Sequence, residues 1–209
     1  MTRDEGAGGS TSPAHDAGVG DGTHDTRTHI LDTALEVFAI SGYRAASIRD
    51  IASRAGISHP TLLYHFPSKA HLLMAVLHRR EDVDNQGRDF AALPPRDMLR
   101  QLLVSARINS GARGVVELFA NLSTEASDPE HPAHEYFVDR YARLRTALEG
   151  SFAALARKGE LAVEVPPSVA AAQVIALMDG LQVQWLLDAD SIDMEEALHA
   201  FLRTLVRDL

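Results

Sequence analysis

The stretch from Ser47 to Lys69 constrains the fold of this 209-residue chain more than any other segment. It reads SIRDIASRAGISHPTLLYHFPSK, two short helix-forming segments separated by Ala-Gly-Ile-Ser. Gly56 can adopt the positive φ that ends a helix abruptly, and Ser58 can accept hydrogen bonds from the first amides of the next helix. Ile57 can fill the angle between the two helices. The pattern predicts a helix-turn-helix whose second helix would fit a major groove about 12 Å wide.

The distribution of charge favours this interpretation over an ordinary α-hairpin within a helical bundle. The chain carries a net charge of −9, yet residues 26–80 contain seven basic and three acidic side chains. Residues 81–209 contain 12 basic and 21 acidic side chains, and residues 1–25 contain one basic and five acidic ones. A basic segment on an acidic chain indicates a local phosphate-binding face and not a general affinity for polyanions.

The remaining pattern predicts an all-α protein, because apolar residues recur at helical spacing and no convincing alternating strand occurs. After the helix-turn-helix, with a first helix at about 26–41 and a fourth ending near 84, we expect helices near 96–109, 114–126, 131–157, 168–188 and 193–207. Residues 1–24 are rich in glycine, serine, threonine and aspartate, so we expect a disordered tail.

Composition excludes several classes of protein. The chain has no cysteine, which excludes disulfides, thiolate zinc sites and cysteine nucleophiles. No run approaches about 18 uninterrupted apolar residues, and the N-terminus lacks the residue order of a signal peptide. We therefore expect no membrane segment and a cytoplasmic location.

Residues 26–80 resemble the DNA-binding domain of the TetR family of transcriptional regulators. The similarity is carried by FAISGY at 38–43, SIRDIA at 47–52, AGIS at 55–58 and YHFPSK at 64–69. The segment MDGLQVQW at 178–185 also resembles the penultimate helix of many members. The resemblance implies an N-terminal three-helix helix-turn-helix DNA-binding domain at 25–84. It also implies a C-terminal helical domain at 85–209 for dimerisation and ligand binding.

The same resemblance implies a function and a set of DNA contacts. The chain would be a homodimeric repressor, without cofactor, that binds a palindromic double-stranded DNA operator and is released by a small-molecule ligand. Four side chains of the recognition helix would meet bases or nearby backbone: Ser58, His59, Thr61 and Leu62. Three more would hold phosphates: Tyr64, His65 and Lys69. A phosphate near the start of helix 2 would be met by Arg44, Ser47 and Arg49.

Two positions depart from the family pattern. Pro60 stands where members often have glycine, and it falls in the first helical turn, where its missing N–H has little consequence. Leu63 stands where members often have tyrosine, and here the aromatic residue comes one position later, at Tyr64. The helix should therefore form, and the departure at Leu63 leaves open which phosphate contact the aromatic residue makes.

Five apolar side chains of the second domain could line a ligand pocket, although core or dimer packing would explain each equally well. They are Met98, Phe119, Phe137, Tyr141 and Trp185. Gly180 interrupts a predicted helix, where glycine is about 1 kcal/mol less favourable than alanine. Close approach of a helix at a subunit interface would explain it, and so would a kink beside a ligand.

Two alternatives stay open at this point. The C-terminal half could answer a partner protein instead of a small molecule. A metal-dependent enzyme would have to use the cluster of Asp128, Glu130, His131, His134 and Glu135. Acidic residues after Asp-Pro are also what the start of any helix prefers, and no His-Glu-x-x-His occurs, so we expect no metal site and no catalytic residues.

Overall fold

The structure is a computed structural model that describes residues 19–85 and 92–209, with side chains described over 25–81 and 92–209. These residues form nine helices and no strand, and a single antiparallel bridge joins Leu161 to Val206. The all-α prediction is confirmed. The helices are α1 Val19–Ala45, α2 Ile48–Arg54, α3 His59–His65, α4 Lys69–Asn85, α5 Pro95–Ser110, α6 Arg113–Glu125, α7 His134–Arg157, α8 Pro167–Leu187 and α9 Met194–Leu205.

The start of α1 overlaps the segment in which we expect a disordered tail, and the disorder of residues 1–24 stays a prediction. The helix begins at Val19, inside the segment that composition assigned to disorder, while residues 1–18 lie outside the described part of the chain. An established helix grows by one hydrogen bond for each residue it fixes, without repeating the unfavourable nucleation step. A polar segment can therefore extend a helix that is anchored further along the chain.

The expected end of α1 at Gly42 is visible as a break in the helix. Gly42 has φ 70° and ψ 166°, so the backbone turns there before one last turn leads to Ala45. This combination of angles is open essentially to glycine alone. The break changes the direction of the chain shortly before α2 begins at Ile48.

A first hydrophobic cluster holds α1 to α4 together and extends beyond them. Phe38 of α1 and Leu73 of α4 are fully buried in it. Leu118 and Leu122 of α6 belong to the same cluster, as does Phe137 of α7. The helix-turn-helix segment therefore shares its core with the second half of the chain. The division at residue 84 stays a prediction, because this apolar cluster runs across it.

A second hydrophobic cluster joins α5, α7, α8 and α9. Met98, Phe152 and Leu198 are fully buried within it. The Tyr141 side chain packs against both clusters. The two cores therefore meet along α7, where the cavity described below opens.

Helix α8 has more apolar surface than the fold buries. By length and composition alone, α8 is the one helix of the described chain that could cross a membrane. An 18-residue stretch of it has a mean hydropathy of 1.2, and 33% of that stretch is buried. Its exposed side chains include Val183 at 50% and Leu187 at 83%. Asp179 interrupts the apolar run. This uncovered face fits contact with another protein surface.

We expect removal of the α9 cap to destabilise the second domain. The Asp193 carboxylate accepts a hydrogen bond from the Glu196 amide at 2.9 Å, as the spacing of these residues predicts. Asp193→Ala should lower the free energy of unfolding by about 1 kcal/mol, measured by urea denaturation. Asp190→Ala, three residues earlier on the exposed loop, is the matched control. Equal effects of the two changes would contradict the capping role.

Candidate functional site

The turn between α2 and α3 has the geometry that the sequence predicts. Gly56 adopts φ 66°, and the Ile57 amide donates to the Ala52 carbonyl oxygen at 3.0 Å. Ser58 then caps α3, since its Oγ accepts from the Thr61 amide at 3.1 Å. Because each of these bonds is local, the angle between α2 and α3 is fixed by this short segment itself.

Most of the predicted DNA-contacting side chains reach the surface around this turn. The Tyr64 residue is 82% exposed, an unusual position for a large aromatic side chain. Ser58, Thr61, Arg44 and Arg49 are exposed as well. Ser47, His59, His65 and Lys69 are partly exposed. The helix-turn-helix thus presents hydroxyl, imidazole and guanidinium groups together on one basic segment.

Leu62 does not belong to this surface. Its side chain is 0% exposed and lies in the first hydrophobic cluster with Ile51 and Phe66. A leucine at this position holds α3 against the rest of the helix-turn-helix. We therefore correct the expectation that the Leu62 side chain meets DNA.

Lys69 makes a contact that the sequence did not indicate. Its Nζ donates to the backbone carbonyl oxygens of Tyr43, Arg44 and Ala46 at 2.8, 3.2 and 2.9 Å. The ammonium also lies 4.5 Å from the centre of the Tyr43 ring. A positive charge there is favourable, because the C-terminal end of a helix carries partial negative charge. Lys69 thus ties the start of α4 to the end of α1, and its contact with phosphate stays a prediction.

The end of α1 also touches the segment that follows α6. We call this contact the junction and define it as Gly42, Tyr43 and Arg44 against residues 125–131. Arg44 Nη2 lies 2.9 Å from Asp128 Oδ2, and the Tyr43 ring meets the His131 ring edge-on at 4.9 Å. A Cβ atom at Gly42 would lie 2.9 Å from Glu125 Oε1. The junction therefore connects the helix-turn-helix directly to the second domain.

The two histidines of the supposed metal cluster serve different structural roles. His131 is buried, its Nδ1 accepts from the Ala133 amide at 3.2 Å, and its Nε2 lies 3.6 Å from Glu125 Oε2. Burial lowers the pKa of His131. His134 Nδ1 instead pairs with the Ala126 carbonyl oxygen at 2.8 Å. Among the residues with described side chains, no group of three or more potential ligands is arranged to hold a metal ion.

A cavity of about 300 Å³ opens between α6, α7 and α8. Phe119, Phe137 and Tyr141 line it, as three of the five predicted pocket residues. Their rings form a row, with centroids 6.1 Å apart for Phe119 and Phe137 and 6.4 Å apart for Phe137 and Tyr141. The volume lies at the small end of the range that ligand sites occupy in proteins.

Met98 and Trp185 do not line this cavity. Met98 is completely buried in the second cluster. Trp185 is buried with the Arg113 guanidinium 5.7 Å from its ring centre, and Arg113 also donates to the Leu186 carbonyl oxygen at 2.6 Å. Both side chains pack the interior of the second domain, so we correct their assignment to the pocket.

The cavity also contains charged side chains that the sequence analysis missed, Arg140 and Asp179. The Tyr141 hydroxyl donates to Asp179 Oδ2 at 3.0 Å. Burial raises the pKa of the Asp179 carboxyl, and burial together with the Asp179 charge raises the pKa of Tyr141 to about 12. Asp179 is the only charged residue of α8. A single carboxylate within an otherwise apolar helix could have indicated, from the sequence alone, that a polar site lies there.

Gly180 borders the same cavity. No atom of the described side chains lies within 4 Å of where its Cβ would stand, so nothing inside the chain requires glycine there. Glycine is unfavourable within a helix. Contacts within the described chain therefore do not explain why glycine stands at this position.

Both halves of the chain match known protein families. Residues 30–76 match the family described as "Bacterial regulatory proteins, tetR family", and residues 95–209 match "BetI-type transcriptional repressor, C-terminal". The chain is similar to the HTH-type transcriptional regulator TtgR of Pseudomonas putida (28% identity, covering 81% of this chain and 84% of TtgR). It is also similar to the HTH-type transcriptional repressor BepR of Brucella suis (26% identity, covering 81% and 85%).

Solved structures have the same architecture. One is NalD, the secondary repressor of the MexAB-OprM multidrug efflux pump in Pseudomonas aeruginosa. It superimposes with a TM-score of 0.67 at 26% identity, over 90% of this chain and 98% of NalD. A regulator from Agrobacterium tumefaciens reaches a TM-score of 0.75 at 17% identity over 88% of this chain and 98% of its own, which shows the fold.

We expect Gly42→Ala to strain the junction. The substitution forces an L side chain into a conformation that disfavours it by roughly 1–3 kcal/mol and drives its Cβ against the Glu125 carboxylate. The free energy of unfolding should fall by about that amount. Gly150→Ala, in α7 with nothing near its Cβ, is the control and should not destabilise the protein. A Gly42→Ala variant as stable as the native protein would contradict this role of Gly42.

We expect acid to destabilise the protein through His131. Its pKa is lowered by burial, so the unfolded chain takes up the proton more readily than the folded protein. The stability contributed by neutral His131 should be present above pH 6.5, the ordinary value, and should decline as the pH falls below it. As the pH falls below 6.5, the native protein should therefore lose more unfolding free energy than the His131→Gln variant. Parallel pH profiles would contradict this expectation.

Proposed function

The chain belongs to the TetR family of bacterial regulatory proteins and is a DNA-binding transcriptional repressor. On this premise we propose that it binds a palindromic operator as a homodimer in the cytoplasm and leaves the DNA when a small molecule occupies the cavity. The observation that carries the proposal is the exposed face of α3, with Thr61 and Tyr64, set by the Gly56 turn on the basic segment. Hydroxyl and imidazole groups on such a face can read base edges.

The proposed DNA contacts divide into two kinds. Thr61 and His59 on α3 read bases, with Ser58 close by. Arg49, Tyr64 and His65 hold phosphates, which fix the register of the protein but carry no sequence information. Arg44 and Ser47 lie beside them, and Lys69 contributes mainly by holding the end of α1 in place. Residues 25–84 form the DNA-binding domain in this proposal.

Dimerisation is assigned to α8 and α9, within a ligand-binding and dimerisation domain at 85–209. The exposed apolar side chains of α8, Val183 and Leu187 among them, need a cover that the single chain does not provide. Pairing α8 and α9 with their two-fold mates in a four-helix bundle would bury them. It would also set two recognition helices roughly 34–36 Å apart, the repeat of the major groove on one side of B-DNA.

The junction supports a route from the cavity to the DNA. Helix α6 provides Phe119 to the cavity wall and Glu125 to the contact with Gly42. A ligand that shifts α6 would therefore move the end of α1. A ligand can change the operator affinity only by its difference in affinity between the two conformations of the dimer.

The two alternatives from the sequence are not supported by the relatives. Members of this family are regulators and not enzymes, so the hypothesis of a metal-dependent enzyme falls. Control by a partner protein has no residue in its favour, whereas a cavity is present for a small molecule.

Operator binding can be tested by fluorescence anisotropy on DNA from the protein's own promoter region. Arg49→Ala should weaken binding to specific and scrambled duplexes alike and should reduce the slope of log affinity against log salt by about 1. Thr61→Ala should instead change the ranking among operator variants, by about 1–3 kcal/mol at a single base pair. Arg145→Ala, an exposed arginine of α7, is the matched control. Absence of salt-sensitive, sequence-preferring binding would refute the proposal.

The dimer surface is tested by Leu187→Lys. Because Leu187 is 83% exposed in the single chain, the change should leave the fold intact. In a dimer paired through α8 it would bury an unpaired charge, and we expect monomers at micromolar concentration in sedimentation velocity. Val138→Lys, at a 49% exposed position of α7, should remain dimeric. A Leu187→Lys variant that stays dimeric would place the interface elsewhere.

A further inference from the structure

Arg44, one of the basic residues beside the start of α2, is already paired with a carboxylate of the second domain. Its Nη2 donates to Asp128 Oδ2 at 2.9 Å, although the two residues lie 84 positions apart in the sequence. The Arg44 side chain is nevertheless 70% exposed and that of Asp128 44% exposed. A phosphate group can therefore reach the guanidinium while the pair is intact.

The Asp128 carboxylate is held in place by its own segment. Its Oδ1 accepts from the Glu130 amide at 3.1 Å, which leaves Oδ2 for Arg44. The Asp128 amide donates to the Glu125 carbonyl oxygen at 3.3 Å, and the Asp128 carbonyl oxygen accepts from the His131 amide at 3.0 Å. The segment after α6 therefore presents one carboxylate oxygen to Arg44 at a fixed position.

The backbone of Arg44 is fixed as well. The Lys69 ammonium donates to the Arg44 carbonyl oxygen at 3.2 Å and to that of Ala46 at 2.9 Å. Ser47, three residues after Arg44, is the N-cap of α2. The position of the Arg44 backbone relative to the start of α2 is therefore set, and only the side-chain torsions of Arg44 decide which group its guanidinium contacts.

A carboxylate and a phosphate compete for the same guanidinium. Arginine binds both groups with charge-assisted hydrogen bonds of similar geometry. A phosphate that approaches Arg44 while the pair is intact also approaches the Asp128 charge, which repels it. Pairing with Asp128 thus withdraws positive charge from the surface that the basic segment presents to DNA.

We propose that Asp128 is an intramolecular competitor of the operator: Arg44 pairs with Asp128 in the free protein and exchanges this carboxylate for a phosphate in the complex with DNA. This exchange rests on the proposed function, in which Arg44 lies beside an operator phosphate. The second domain thereby lowers operator affinity through a single side chain. A shift of the segment after α6 changes how firmly Arg44 is held, and so changes the affinity for DNA.

The test compares Asp128→Asn with the native full-length dimer by fluorescence anisotropy on duplex DNA from the protein's own promoter region. Asparagine retains an oxygen for the Glu130 amide but removes the charge that holds Arg44. We expect tighter operator binding, by about two- to fivefold for each protomer and therefore roughly four- to 25-fold for the dimer, the range of an exposed ion pair.

Glu130→Gln is the matched control. It removes the same charge from an exposed residue of the same segment, and the Glu130 side chain forms no ion pair with the described side chains. Any gain in operator affinity should be clearly smaller than that of Asp128→Asn, because only the general negative charge near the DNA is reduced.

Arg44→Ala separates competition from a change in the fold. Alone it should weaken operator binding, because the phosphate contact is lost. Asp128→Asn introduced into the Arg44→Ala protein should then give no more gain than Glu130→Gln does in that background, since no guanidinium is left to release.

Several results would overturn the inference. They are unchanged operator affinity in Asp128→Asn or in Arg44→Ala, an equal gain in Glu130→Gln, and a gain from Asp128→Asn that persists without Arg44. Weaker binding of Asp128→Asn would also overturn it, by showing that the carboxylate positions Arg44 for its phosphate. In each case the native protein still binds its operator, whereas failure of the proposed function would appear as no sequence-preferring DNA binding by the native protein.

Discussion

The packing of α1 against α6 is the contact on which the rest of this structure depends. Helix α1 contributes Phe38 to the core of the helix-turn-helix, and the same core contains Leu118 and Leu122 of α6. Close-packed interiors resist continuous deformation and move between discrete arrangements. The DNA-binding segment is thus not suspended on a linker. Its orientation is set by how α6 lies in the second domain.

Electrostatics reinforces this contact at one point, the end of α1. The Lys69 ammonium satisfies carbonyl groups that a helix leaves without partners at its C-terminus, and Arg44 reaches across to Asp128. Both side chains were expected to serve DNA alone. A basic residue beside the end of a helix can bind either a phosphate or the carbonyl oxygens of that helix end. The sequence alone does not show which of the two the side chain contacts.

Features held by residues close together in the sequence could be predicted, whereas features that depend on distant residues could not. The Gly56 turn, the Ser58 cap and the Asp193 cap were all predictable, because each is fixed by residues three to five positions apart. Leu62 was misassigned because the family position does not reveal which way the side chain turns. Met98 and Trp185 were indistinguishable from pocket residues by type, since cores and ligand cavities are built from the same apolar groups.

The charged groups of the cavity were missed because their partners lie far away in the sequence. Asp179 pairs with Tyr141 across 38 positions of sequence, and Arg140 reaches back to Glu81. No local pattern encodes either pairing. The isolated carboxylate in α8 was nevertheless visible, and a lone charge within an apolar helix is a useful sign of a site even before its partners are known.

The absence of a side chain at Gly180 gives the cavity a place where its shape can change at little expense to the fold. Since no atom of the described side chains lies near the missing Cβ, one or two added carbons there would narrow the cavity beside Asp179 while improving helix propensity. Under the proposed function, in which this cavity is the effector site, substitutions at this single position would provide a graded series of repressors, each admitting a smaller effector than the last.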